Sequence, residues 1–101
     1  MARKRVPSLS DRRDAAARAI PADAELDTVG LFCPVPIIRT AERIKRMRVG
    51  EVLEVRSDDR VILVDMPAWC RATGHEYLGW REQGGEIRLV VRKTAGRGGE
   101  R

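Results

Sequence analysis

This 101-residue chain encodes an α+β fold, a two-layer sandwich of four strands and two helices. Three observations lead there. Short runs rich in apolar and β-branched residues recur at 25–29, 52–57, 76–83 and 86–92. Two longer segments, 34–47 and 61–73, carry apolar residues at helical spacing. Gly84-Gly85 joins the last two strand-like runs as a tight hairpin. The order is therefore strand, helix, strand, helix, strand, strand. Two helices on one face of a four-stranded sheet bury both helical stripes most simply.

The elements follow in turn. Glu25-Leu-Asp-Thr-Val alternates and reads as a strand, and Gly30-Leu-Phe is the turn out of it. From Pro34 to Met47, residues Ile37, Ile38, Ala41, Ile44 and Met47 form one apolar stripe. Arg39, Glu42, Arg43 and Arg46 lie opposite it. Gly50 closes this segment. Val52 to Ser57 is the second strand, and Asp58 and Asp59 offer an N-cap to the next helix. In that helix Ile62, Met66, Trp69, Cys70 and Thr73 share a stripe, a kink is expected near Pro67, and Gly74 ends it. Trp69 belongs to the core, whereas Trp80, on the last hairpin, is expected to face solvent.

Residues 25–93 make up the folding unit. Residues 1–24 form a basic extension, disordered or partly helical over 10–20, and residues 94–101 form a disordered Gly/Arg tail. The net charge of +5 resides on these ends: residues 1–24 and 92–101 each sum to +3, and residues 25–91 to −1. Charged tails of this kind are usually solvated. They contain no aromatic residue that could stack on bases, so nucleic acid is not an expected partner. No run approaches the length of a membrane span. Two cysteines without a secretory signal indicate a reducing, cytoplasmic setting. One histidine and two distant cysteines make a poor metal site, so neither metal nor cofactor is expected.

The chemistry concentrates in Gly30-Leu-Phe-Cys-Pro-Val-Pro, residues 30–36. Proline is harmful inside a helix but harmless in its first turn, where the N–H groups have no helical acceptor. Pro34 is expected at the first helical position, leaving Cys33 as the capping residue. Pro34 and Pro36 lack donors, so the N–H of Val35 is expected to point at the sulfur. Together with the helix dipole, this predicts a depressed thiol pKa and a site that holds an anionic persulfide. Cys70 lies on the apolar stripe of the second helix and reads as a core thiol. His75 follows the helix-ending glycine and reads as a capping residue rather than a catalytic base.

Leu26-Asp-Thr-Val-Gly-Leu-Phe-Cys-Pro-Val-Pro resembles the signature of the TusA/SirA/YedF-like sulfur carriers. Gly50-Glu, Asp58-Asp59 and the run from Asp65 to Glu76 are similar to the same family. The resemblance implies a βαβαββ sandwich with a mixed sheet, in which Cys33 accepts sulfane sulfur as a persulfide. It implies a cysteine desulfurase or rhodanese-like donor. The acceptor would be a partner protein, TusD/DsrE-like among the possibilities, serving tRNA thiolation, molybdenum-cofactor synthesis or sulfur oxidation. Gly30, Pro34, Val35 and Pro36 would shape the Cys33 loop, and a monomer is expected. Arg39, Arg43 and Arg46 are candidate docking residues for an acidic partner surface. Arg60 stands where the family often has proline, and Phe32 where a polar or basic residue is common. Two competing readings are a regulatory or nucleic-acid-binding module using the basic tails and first helix, and a thiol redox protein. The second lacks a Cys-x-x-Cys pair.

Overall fold

A computed structural model describes residues 21–96. The elements are β1 (Ala24–Asp27), α1 (Val35–Ile44), β2 (Val52–Ser57), α2 (Ile62–Thr73), β3 (Glu76–Gln83) and β4 (Glu86–Arg92). The strands form one mixed sheet in the order β1-β2-β4-β3. β1 runs parallel to β2, and β4 runs antiparallel to both β2 and β3. The expected α+β sandwich is the observed one. The helix suggested for residues 10–20 and the Gly/Arg tail beyond residue 96 lie outside the described residues.

Side-chain alternation along the strands decides which face is covered. Leu53 and Val55 of β2 and Ile87, Leu89 and Val91 of β4 meet Ile44, Met47, Ile62, Met66 and Cys70 in the core. Leu53, Val55, Ile62, Met66, Leu89 and Val91 are fully buried. Each such side chain contributes about 1.5–3 kcal/mol relative to exposure. Trp80 also packs against this core and is half-buried, not open to solvent. The strand alternation that puts Arg81 on the other face turns its ring toward the helices.

α2 buries Ile62, Met66 and Cys70, one residue per helical turn. Pro67 lies inside it without ending it, and Gly74, at φ +90°, closes it by donating its N–H to the Cys70 carbonyl at 2.8 Å. α1 differs more from expectation. It ends at Ile44, and residues 45–47 continue as tighter turns, with Arg46 and Met47 donating to the carbonyls of Arg43 and Ile44. Its buried residues are Pro36, Thr40 and Ile44. Ile38 is 51% exposed because it projects about 200° around the helix from that row. The buried Thr40 hydroxyl donates to the Pro36 carbonyl at 2.8 Å, so no polar group is left without a partner there.

The other face of the sheet carries a lattice of ion pairs. Arg56 donates to both carboxylate oxygens of Glu86, at 2.9 and 2.7 Å, and lies 3.5 Å from Asp27. Arg81 and Arg88 both pair with Glu54, at 2.9 and 3.5 Å. The hydrogen bonds from Arg56 hold the Glu86 carboxyl below its ordinary 4.5. A depressed folded-state pKa gives stability that is present above the unfolded value and lost as pH falls through the folded one. Glu86→Gln is therefore expected to be less stable than the parent above the ordinary carboxyl range and to converge with it as pH falls through the lowered folded-state value. Urea midpoints across that range measure the convergence; a gap that persists at the acid end would contradict the pairing.

Candidate functional site: the Cys33 loop

β1 and β2 are parallel neighbours, so their C-terminal ends lie side by side. The loop leaving β1, residues 28–34, and the loop leaving β2, residues 58–61, emerge at the same sheet edge. The starts of α1 and α2 follow them. This topology brings Cys33 beside two acidic residues that are more than 20 positions away in the chain.

The two loops are tied by defined bonds. Thr28 donates its N–H to the Arg56 carbonyl at 2.9 Å, and its hydroxyl donates to the same oxygen. The N–H of Gly30 donates to Asp58 Oδ1 at 3.0 Å. Gly30 has φ +90°, a conformation that a side chain disfavours. The N–H of Cys33 donates to Asp59 Oδ2 at 2.9 Å. The second oxygen of Asp59 accepts the N–H of Val61 at 3.1 Å, and Asp59 itself is braced by Ser57 Oγ. The N-cap expected from Asp58 and Asp59 is not formed: Val61 is the boundary residue of α2 and no side chain caps it, while Asp59 braces the turn that leads into the helix. Asp59 also fixes the backbone of Cys33, which the sequence does not suggest.

The start of α1 departs from expectation. Pro34, not Cys33, is the boundary residue, and the helix begins at Val35. The Cys33–Pro34 peptide is cis. The N–H of Val35 donates to the Phe32 carbonyl at 2.9 Å, and those of Ile37 and Ile38 both donate to Pro34. The one donor expected to face the sulfur, the N–H of Val35, is thus spent on a backbone carbonyl, and Pro36 has none to offer.

The electrostatic expectation is reversed with them. The Cys33 thiol is half-buried, and its pKa is pushed up from 9.0 to about 11. Partial burial is the largest cause. Next comes the Asp65 carboxylate, which accepts the thiol's hydrogen bond and adds its negative charge, and then the charge of Asp59. Sequence reasoning missed both carboxylates as partners of the sulfur. Asp65 lies in the first turn of α2, and only the pairing of β1 with β2 brings it to Cys33. A readable signal did exist: in a β–α–β–α order with parallel strands, the residues that follow each strand converge.

Most of the exposed large apolar residues gather on these two loops and helix starts. Phe32 is 73% exposed, Val64 71% and Val61 53%, and Val29, Val35 and Ile38 join them; Val49 lies elsewhere. Of the basic residues expected to dock a partner, Arg39 and Arg46 are exposed and Arg43 is half-buried on α1. Cys70 is 2% exposed, a core thiol as expected, and burial pushes its pKa up to about 12. Both cysteines are free thiols. His75 serves the frame: its Nδ1 accepts the N–H of Thr94 at 3.1 Å, and its ring lies 5.4 Å from that of Trp69. No helix among the described residues is long and apolar enough to cross a membrane.

A half-buried free thiol on the loop after the first strand of a βαβαββ sandwich places the chain in a class of small two-layer domains. Within that class the chain belongs to the TusA family: the sequence profile described as "Sulfurtransferase TusA" matches residues 24–93. The chain is 46% identical over 68 residues to a putative sulfur carrier protein YrkF of Bacillus subtilis, covering 67% of this chain and 37% of that longer protein. It is 36% identical over 72 residues to the sulfur carrier protein TusA of Allochromatium vinosum, covering 71% of this chain and 95% of that one. Among solved structures, a SirA-like protein from Desulfitobacterium hafniense shares the fold. Its TM-score is 0.62 at 20% identity, over 70% of this chain and 97% of that one.

Proposed function

We propose that this protein is a sulfur carrier that accepts sulfane sulfur on Cys33 as a persulfide and relays it to a partner protein. The observation that carries the reading is the single half-exposed thiol of Cys33, held by Asp59 at the edge where two parallel strands deliver their loops. Family membership and the names of the relatives support it. Cys33 carries the sulfur. Gly30, Pro34, Val35 and Pro36 shape its loop, with Gly30 bound to Asp58 and Pro36 buried in the first turn of α1. The donor is a cysteine desulfurase or a rhodanese-like protein, the acceptor is a second protein able to take sulfane sulfur, and the exchange takes place in the cytoplasm.

Transfer needs no change of oxidation state overall. The Cys33 sulfur attacks the terminal sulfur of the donor's persulfide, and a new S–S bond forms as the donor's breaks. The donor cysteine leaves as a thiolate and takes up the proton that Cys33 gave. The experiment is to incubate the protein with a cysteine desulfurase and L-cysteine and weigh it intact. Gain of one sulfur atom, removed by a reductant and absent in Cys33→Ser, is the expected result. A gain that persists in Cys33→Ser, or none in the parent, contradicts the assignment.

A further inference from the structure

We propose that the surface around Cys33 docks a protein partner that brings an arginine or lysine against Asp65 within an apolar contact, and that this ion pair is what releases the Cys33 thiol to react. The inference rests on the sulfur-carrier reading and adds to it the chemistry of the partner.

Three observations meet at this surface. Asp65 is half-buried in the first turn of α2, one turn after the exposed Val61, and the N–H groups of Val61 and Cys33 share the carboxylate of Asp59. Among the described residues no salt bridge reaches Asp65 or Asp59. On the sheet face, by contrast, Glu25, Glu54 and Glu86 are all paired with arginines. Phe32, Val61 and Val64 are largely exposed beside these acids, although each is a residue that folding normally hides.

Covering the apolar residues removes water from the carboxylate as well. A carboxylate desolvated without a counter-ion is costly, and the cost falls when a cation is supplied. An acidic partner would add like-charge repulsion at the same point. A basic group therefore matches this surface, and an acidic one does not. The cation also acts on the chemistry. In the free protein the Asp65 charge favours the neutral thiol. A guanidinium or ammonium on Asp65 withdraws that influence and favours the thiolate that attacks. The proton leaves Cys33 as the thiolate forms and ends on the partner's departing cysteine. The S–S bond broken on the partner is replaced by the one formed on Cys33, so atoms and electrons balance.

The test uses the full chain and two short persulfidated peptides. They have the same apolar sequence and differ only in an arginine or a glutamate beside the persulfide. Transfer to Cys33 is followed by intact mass. The arginine peptide is expected to charge the parent about tenfold faster at low ionic strength, with added salt narrowing the difference. Asp65→Asn is expected to abolish the preference and Asp65→Glu to keep it, which separates loss of charge from a folding defect. Equal rates from both peptides on the parent, or a preference that survives Asp65→Asn, would overturn the proposal while leaving the carrier reading intact. If neither peptide charges Cys33, the carrier reading falls and this proposal falls with it.

Discussion

Alkylation of Cys33 by iodoacetamide is expected to be slow at neutral pH and to rise with a midpoint near 11 rather than 9.0. Two pH units mean about a hundredfold less thiolate below both midpoints. The higher-pKa thiolate is intrinsically more nucleophilic, which recovers about tenfold of that. The net rate near neutrality should thus be about a tenth that of an ordinary exposed cysteine, and less where partial burial hinders approach. The midpoint is the sharper measurement because it does not depend on nucleophilicity. Cys70 is buried and pushed up to about 12, so Cys33→Ser supplies a nearly silent baseline. A midpoint at or below 9 would mean that neither partial burial nor the charges of Asp65 and Asp59 govern the sulfur. The functional consequence is a carrier that stays chemically quiet until something changes the charge around Cys33. The same two carboxylates give a persulfide anion on Cys33 no electrostatic hold, so loaded sulfur is poised to move on.

Asp59→Ala is expected to cost about 2–4 kcal/mol of stability and to slow sulfur loading, whereas Asp58→Ala should cost about 1 kcal/mol or less. Asp59 accepts two backbone N–H groups, Cys33 at 2.9 Å and Val61 at 3.1 Å. The first of these lies in a partly buried setting. Removing the carboxylate strands one donor at the sulfur and another at the entry to α2. Asp58 accepts a single exposed bond from Gly30, and water can replace it. Asp59→Asn keeps one acceptor oxygen and turns the other into an NH2 donor, so one of the two N–H groups keeps its bond and the stability should fall between the two alanine variants. Its Cys33 midpoint should move down toward the ordinary value, because one of the charges that raise it is gone. Denaturant midpoints order the three variants. Equal losses in Asp58→Ala and Asp59→Ala would show that the two loops are not joined through Asp59.

The elements were legible because periodicity is a local property. The helical spacing from Ile62 to Cys70 and the alternation of β4 are set by which face meets the core. Gly84 and Gly85, at φ +58° and +80°, form the turn that only glycine makes without strain. The short α1 was harder to read. Its buried row runs through Pro36, Thr40 and Ile44, and a stripe drawn by hydrophobicity alone passes instead through the exposed Ile38. Thr40 belongs to the buried row because its hydroxyl bonds to the Pro36 carbonyl, a local bond that composition does not advertise.

Cys33 itself could be singled out from the chain, since two prolines after it and a glycine before it mark a fixed loop opening a helix. Its environment could not. Helix N-termini attract anions only where their N–H groups are unspent, and here Val35, Ile37 and Ile38 have already given theirs to Phe32 and Pro34.

The sequence by itself determined the order of the elements and the core face of α2 and the strands of the central sheet, and it singled out Cys33 as the candidate thiol, because each of these depends on neighbours a few positions away. The tertiary structure alone decided the charge that the sulfur experiences. Asp59 and Asp65 come to Cys33 only because β1 and β2 run parallel and release their loops at one edge. Electrostatic interaction depends on distance in space, which chain separation does not reveal.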